Sequence, residues 1–194
     1  LVVDLHSGGV RYQFAQLAGF YPLPEAHAGL SRRVAEAMAF PYLWALPPNP
    51  GVLSYTAVQR GVPAVGAEVT GMGGCLDADV ELYIAALRRI LALMGVLPAS
   101  ERDPAGPQRP DTIPIWRGDW QLSPTGGLFC PRVRLGQPVA PGDLLATIHN
   151  PFGQEQGRLT AEYHGRVLAL RHLRSIAPGE WAVMVLTDQA EPVA

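Results

Sequence analysis

The chain contains no lysine: all 15 of its basic residues are arginine. Chemistry that needs a lysine amine, whether a Schiff base, a lysine-closed phosphate loop or a biotinyl or lipoyl arm, is therefore excluded for these residues. Cysteine is nearly as scarce. Cys75 and Cys130 are two thiols without a pattern, which supports neither a disulfide framework nor a cysteine zinc site and suits a reducing cytoplasm. No stretch approaches the roughly 20 apolar residues of a membrane span. Charge is sparse too, with 16% charged residues and a formal net charge of -2, so there is no electrostatic reason to expect nucleic acid or an anionic membrane as partner. What the chain does have is 48% hydrophobic residues over 194 positions, enough for one sizeable core or two small ones in a globular protein.

The first nine residues organise the rest. Leu1, Val2 and Val3 read as the start of a buried strand, and Ser7-Gly8-Gly9 stops it, so His6 sits where the strand ends. Successive strand residues point to opposite faces, which puts Asp4 and His6 on the same one. An imidazole with a carboxylate beside it is a common metal-ligand arrangement, because the carboxylate fixes the ring while neutral imidazole offers a lone pair. A buried histidine hydrogen-bonded to Asp4 is the plainer reading of the same pattern.

Val10 to Gly29 reads as an irregular loop, with Glu25 and His27 as a solvent-exposed pair rather than ligands. Ser31 is expected to cap a short helix over 32–40, ended by Pro41, and Tyr42 to Leu46 to form a short buried strand. A second helix is expected over 51–61, then a strand from Val62 to Val69 that carries Glu68 near its end. A carboxylate there is costly to bury unless it is paired, hydrogen-bonded or used. An arginine partner such as Arg60 or Arg11 would make it structural; apolar surroundings beside a metal would make it a proton acceptor at neutral pH. Asp77 or Asp79 starts a long helix reaching about Met94, with Val80, Ile84, Leu87, Leu91 and Met94 expected to face the core.

The segment Val3-Asp4-Leu5-His6-Ser7-Gly8-Gly9, followed by Gly61-Val62-Pro63-Ala64-Val65-Gly66-Ala67-Glu68-Val69-Thr70-Gly71, resembles the succinylglutamate desuccinylase/aspartoacylase family of zinc-dependent deacylases, relatives of the zinc carboxypeptidases. The resemblance implies that His6 is the third ligand of one Zn2+ per active site, that Glu68 is the general base, and that Asp4 orients the site from behind the ligand. The Ser-Gly-Gly ending is most similar to the branch that deacetylates N-acetyl-diaminobutyrate-like compounds. The family's other zinc ligands, a His-x-x-Glu motif, and its Asn-Pro-Arg substrate clamp precede this strand; neither occurs among the 194 residues. Since the chain opens with Leu1 inside a strand, an amino-terminally incomplete chain is expected. The implied activity is hydrolysis of the amide of a small N-acylated amino acid in the cytoplasm. The alternative is a non-catalytic member that binds a metabolite or partner. A homo-oligomer stays open.

The implied fold is α/β: a zinc-carboxypeptidase-like mixed sheet with flanking helices over residues 1–98. A proline-rich linker follows over 99–114, where Pro104, Pro107, Pro110 and Pro114 prevent helix or central strand. Residues 115–194 alternate short apolar runs with Gly and Pro turns and are expected to be all-β. Val139-Ala140-Pro141-Gly142-Asp143 recurs as Ile176-Ala177-Pro178-Gly179-Glu180, which suggests two quasi-equivalent halves. The segment resembles the barrel-sandwich hybrid of biotinyl and lipoyl carriers, without the lysine a carrier needs. His149 and His164 read as turn or surface residues.

Overall fold

A computed structural model describes residues 1–22, 25–98 and 114–188. In chain order the first elements are β1 (Val2–Ser7), β2 (Tyr12–Phe14), β3 (Leu17–Phe20), α1 (Glu25–Met38), β4 (Tyr42–Ala45), α2 (Leu53–Gln59), β5 (Ala64–Val69) and α3 (Asp77–Leu93). Among the described residues only strands follow: β6 (Ile115–Leu122), β7 (Gly127–Pro131), β8 (Pro138–Val139), β9 (Leu144–His149), β10 (Glu155–Thr160), β11 (Gly165–Arg171), β12 (Ser175–Ile176) and β13 (Trp181–Thr187). Apart from Pro114, the proline-rich linker expected over 99–114 lies outside the described residues. Two compact units are interleaved in sequence. One takes Leu1–Ser7, Gln16–Val69 and Cys75–Ile115; the other takes Gly8–Ala15, Thr70–Gly74 and Trp116–Ala194.

The first unit is mixed α/β, with a sheet in the order β1-β5-β3-β4. β1 runs parallel to β5, β5 antiparallel to β3, and β3 parallel to β4. Alternation along the strands divides the core. Val3, Val65 and Ala67 face α1 and α3, packing with Val34, Met38, Ala86 and Ile90. Val2 and Ala64 face the opposite side and pack with Val58 of α2 and Tyr21. β1 is not the buried strand the sequence suggested. Its first half is half-buried and its second half exposed, because within this unit it pairs with β5 alone.

Three local expectations are corrected. The loop over 10–29 contains β2, β3 and the first turn of α1, so Glu25 and His27 are helical. Ser31 lies inside α1 instead of capping it; its buried hydroxyl accepts a hydrogen bond from the Ala64 amide at 3.2 Å, tying α1 to the start of β5. α3 turns a different face to the core. Asp79, Ala86 and Ile90 are buried and Tyr83 packs beside them, whereas Val80, Ile84 and Leu91 are 41%, 42% and 38% exposed. The two stripes differ by one residue, a 100° rotation of the helix, and both contain large apolar side chains. The stripe that wins places Ala86 in one cluster with Val34, Ala35 and Met38 of α1, and carries a tyrosine whose hydroxyl finds polar partners.

The second unit is all-β. One sheet runs β6-β13-β11-β2, with β8 also on β11, and the other runs β10-β9-β7-β12. They share one core, with Phe129, Leu145, Ile148 and Leu159 from one sheet and Val167, Leu170, Val183 and Val185 from the other. The sequence repeat is a structural one. Asp143 and Glu180 each accept a hydrogen bond at 2.8 Å from the backbone amide three residues earlier, Ala140 and Ala177, across a glycine with positive φ. Each turn then feeds a long strand, β9 or β13. Gly8 and Gly71 are required for a different reason. A Cβ on Gly8 would lie 2.3 Å from the Tyr12 carbonyl oxygen, and one on Gly71 would lie 2.5 Å from Gly8 Cα, so two backbone segments cross where only glycine fits.

The rotation of α3 predicts unequal costs for two isoleucines six residues apart. Ile90→Ala should cost about 2–5 kcal/mol in urea unfolding, and Ile84→Ser should stay within about 0.5 kcal/mol. Equal losses would return the Val80-Ile84-Leu91 stripe to the core.

Candidate active site

The parallel register of β1 and β5 sets the site. His6 is the Cα partner of Glu68 and Asp4 that of Gly66, so Asp4, His6 and Glu68 share one face at the carboxyl ends of adjacent strands. All three residues singled out in the sequence come together here. His6 Nε2 lies 2.9 Å from Asp4 Oδ1, with the His6 side chain 48% exposed and that of Asp4 15% exposed. The carboxylate accepts from Nε2–H and so fixes the ring and its tautomer, which leaves Nδ1 with its lone pair. Gly66 carries no side chain on this face, between the two carboxylates in the register.

Glu68 has no arginine partner among the described residues, and its Oε2 is fully buried without a hydrogen bond. Burial pushes its carboxyl up to about 7; nearby His6 opposes that shift and Asp4 adds to it. The group therefore titrates near neutrality, the condition for an effective proton acceptor. An orphaned buried oxygen is also costly, which marks it as a group kept for use.

Tyr83, which the sequence reading passed over, supports this pair from the other face of the sheet. Its hydroxyl donates to the His6 carbonyl oxygen at 2.5 Å and lies 3.0 Å from the Ala67 carbonyl oxygen. Burial pushes the phenol well above its usual range, with Glu68 adding to the effect, so the hydroxyl stays a donor. A tyrosine among the apolar residues of a helix was the available signal, since a buried phenol needs a partner.

His149 and His164 remain outside the site. Both ring nitrogens of His149 are engaged, Nδ1 with the Gly153 carbonyl at 3.0 Å and Nε2 with Thr147 Oγ1 at 2.9 Å, and His164 is exposed. The side chains of Glu25 and His27 lie outside the described residues. Among the described residues no three His, Cys, Asp or Glu side chains converge as a metal would require. The donor set at β1 nevertheless suits a zinc ligand: one imidazole nitrogen free, its other nitrogen anchored by carboxylate, and a second carboxylate beside it. No helix of the described residues is long and apolar enough to cross a membrane.

No family model matches the sequence, and no curated protein matches it. Solved structures do. The apo structure of the ectoine utilization protein EutE (DoeB) from Ruegeria pomeroyi superposes with a TM-score of 0.81 at 25% identity, over 95% of this chain and 59% of that one. The product-bound structure of the same protein gives 0.79 at 26% identity, over 95% and 57%. A succinylglutamate desuccinylase/aspartoacylase from Rhodobacter sphaeroides gives 0.82 at 21% identity, over 97% and 58%. The chain thus spans a little under three fifths of the length of these structural relatives.

The raised Glu68 carboxyl makes stability depend on pH in the metal-free protein. Between its ordinary value of 4.5 and about 7 the folded state holds a proton that the unfolded state has lost. Its stabilising contribution is present in full below pH 4.5 and is lost as the pH rises through 7. Glu68→Gln should flatten that decline, gaining up to about 2–3 kcal/mol over the wild type above pH 7. Chemical denaturation of both proteins at pH 4.5 and pH 8 measures it; parallel pH profiles would show that Glu68 is already ionised at low pH.

Proposed function

Because the chain shares the fold of the succinylglutamate desuccinylase/aspartoacylase family, we propose that it supplies the base-bearing half of a zinc-dependent deacylase site, cleaving the amide of a small N-acylated amino acid. One observation carries the proposal: the unpartnered Glu68 carboxylate, poised near neutrality opposite an imidazole with one nitrogen free. The names of the structural relatives, which pair succinyl-amino acid and acyl-aspartate cleavage, support the substrate class.

In this reading His6 Nδ1 is one zinc ligand, and the remaining ligands lie outside the described residues. Zinc when bound polarises the scissile carbonyl and acidifies the attacking water. Asp4 accepts the proton side of the His6 ring, so that Nδ1 keeps its lone pair and the ring keeps its plane. Glu68 takes one proton from the water as its oxygen bonds to the acyl carbon. The same carboxyl then returns that proton to the amine nitrogen as the carbon–nitrogen bond breaks. The products are a carboxylic acid and an amine, and the acid's proton passes to the amine to leave carboxylate and ammonium. We read the all-β unit as a barrel-sandwich-like module, with the paired Pro-Gly-acid turns as support and no lysine to carry a prosthetic arm.

The test is zinc content and N-acyl amino acid hydrolysis for the full-length natural protein and two variants. Glu68→Gln should keep about one zinc per chain and lose turnover by roughly 10²–10⁴-fold, and His6→Ala should lose both metal and turnover. A wild type without zinc, or a Glu68→Gln protein with normal turnover, would overturn these roles.

A further inference from the structure

The Tyr83 hydroxyl does not serve the packing of α3 alone. Its ring is held from behind by Phe40, with centroids 5.7 Å apart at a 42° tilt, and Phe40 is 1% exposed. Ring packing would be complete without the oxygen. The oxygen instead reaches two carbonyls, His6 on β1 and Ala67 on β5, one position before β1 ends at Ser7 and two before β5 ends at Val69. The Ala67 carbonyl belongs to the peptide whose nitrogen is Glu68's own. A phenol has a single proton, so the contact is shared, and it couples the His6 peptide to the Glu68 peptide across the two strands. Within this unit β1 pairs with β5 alone, and the Tyr83 hydroxyl reinforces the end of that ladder from the side of α3.

We propose that Tyr83 is a positioning residue: its hydroxyl bridges the His6 and Ala67 carbonyls and thereby sets the separation between the proposed zinc-ligating imidazole and the proposed base. The inference rests on the deacylase reading above and adds to it a residue outside the motif pattern. It follows from two constraints. One O–H shared between two carbonyl oxygens holds both peptides within reach of the same atom, and site geometry has to be kept within about 0.5 Å for metal affinity and proton transfer. Supporting contacts of this kind typically change metal affinity by about 10–100-fold when removed.

Tyr83→Phe removes the bridging oxygen and leaves the ring, so it should fold. Phe40→Leu is the matched control: it loosens the ring stack and destabilises the same helix while leaving the oxygen in place. Both are made in the full-length natural protein and compared with wild type for zinc affinity by chelator competition, for kcat and KM, and for the visible absorption of the cobalt-substituted form. Tyr83→Phe should weaken zinc about tenfold or more, lower kcat with KM within about twofold, and alter the cobalt spectrum; Phe40→Leu should lower the melting temperature and leave those three readouts near wild type. If Tyr83→Phe matches Phe40→Leu, with a lower melting temperature and unchanged zinc affinity, kcat and spectrum, the hydroxyl is structural and the inference is overturned while the deacylase reading stands. A wild type that binds no zinc overturns both.

Discussion

The parallel pairing of β1 with β5 is the constraint on which the site depends. A parallel ladder fixes which residues lie side by side, and here it sets His6 beside Glu68 with Asp4 two residues back on the same face. Slipping that ladder by one residue would leave every backbone bond satisfiable and turn the imidazole away from the base. Register is defended on both faces: Val3 is locked to α1 and α3, and Val2 to α2. Small residues at Gly66 and Gly19 make room for Leu46, whose Cγ and two methyl groups would lie 2.8–3.0 Å from a Cβ on Gly19, so the middle of the sheet can pack tightly without side chains crowding the polar end.

Against that scaffold the site keeps a polar group in a costly place: the Glu68 Oε2 atom is buried without a hydrogen bond, which detracts from stability. Buried arginines elsewhere have partners for most of their nitrogens: Arg171, 4% exposed, donates to the Ser175 carbonyl and pairs with Glu180 at 2.9 Å while its Nη1 has no hydrogen bond, and Arg89 donates to the Met38 carbonyl. What sets Glu68 apart is a buried carboxyl with no arginine partner among the described residues, the pattern expected where function has overridden folding.

Much of this was legible in the residues. Asp-x-His before Ser-Gly-Gly placed two polar groups on one face at a strand end, and Glu68 stood out as a carboxylate near the end of an apolar strand. The helix over 77–93 and the repeated Pro-Gly-acid turns followed from spacing and turn chemistry. What periodicity could not decide was the rotation of α3, because two apolar stripes one residue apart satisfy the same pattern and only the crossing with α1 chooses between them. The helical start of α1 was hidden by the early placing of a cap at Ser31, a hydroxyl that serves β5 instead. Tyr83 was missed for a related reason: on the sequence it is one more bulky residue in a helix, and its meaning lies in carbonyls 16 and 77 positions away.

The interleaving of the two units bears on the order in which the chain can acquire structure. Strand β2 pairs with β11, Tyr12 opposite Arg171, so a strand made near the start has its partner only near the end of the all-β segment. The first α/β elements can collapse around residues 16–69 as they emerge, but residues 8–15 must stay available until then. Cutting the chain in the proline-rich stretch would not release a self-sufficient β module, because one of its strands would leave with the other piece. β1 and β5, which bear His6 and Glu68, both run on into segments of the all-β unit, where Gly8 and Gly71 cross. The strands of the site can thus pair early, while the segments that continue them wait for partners made much later.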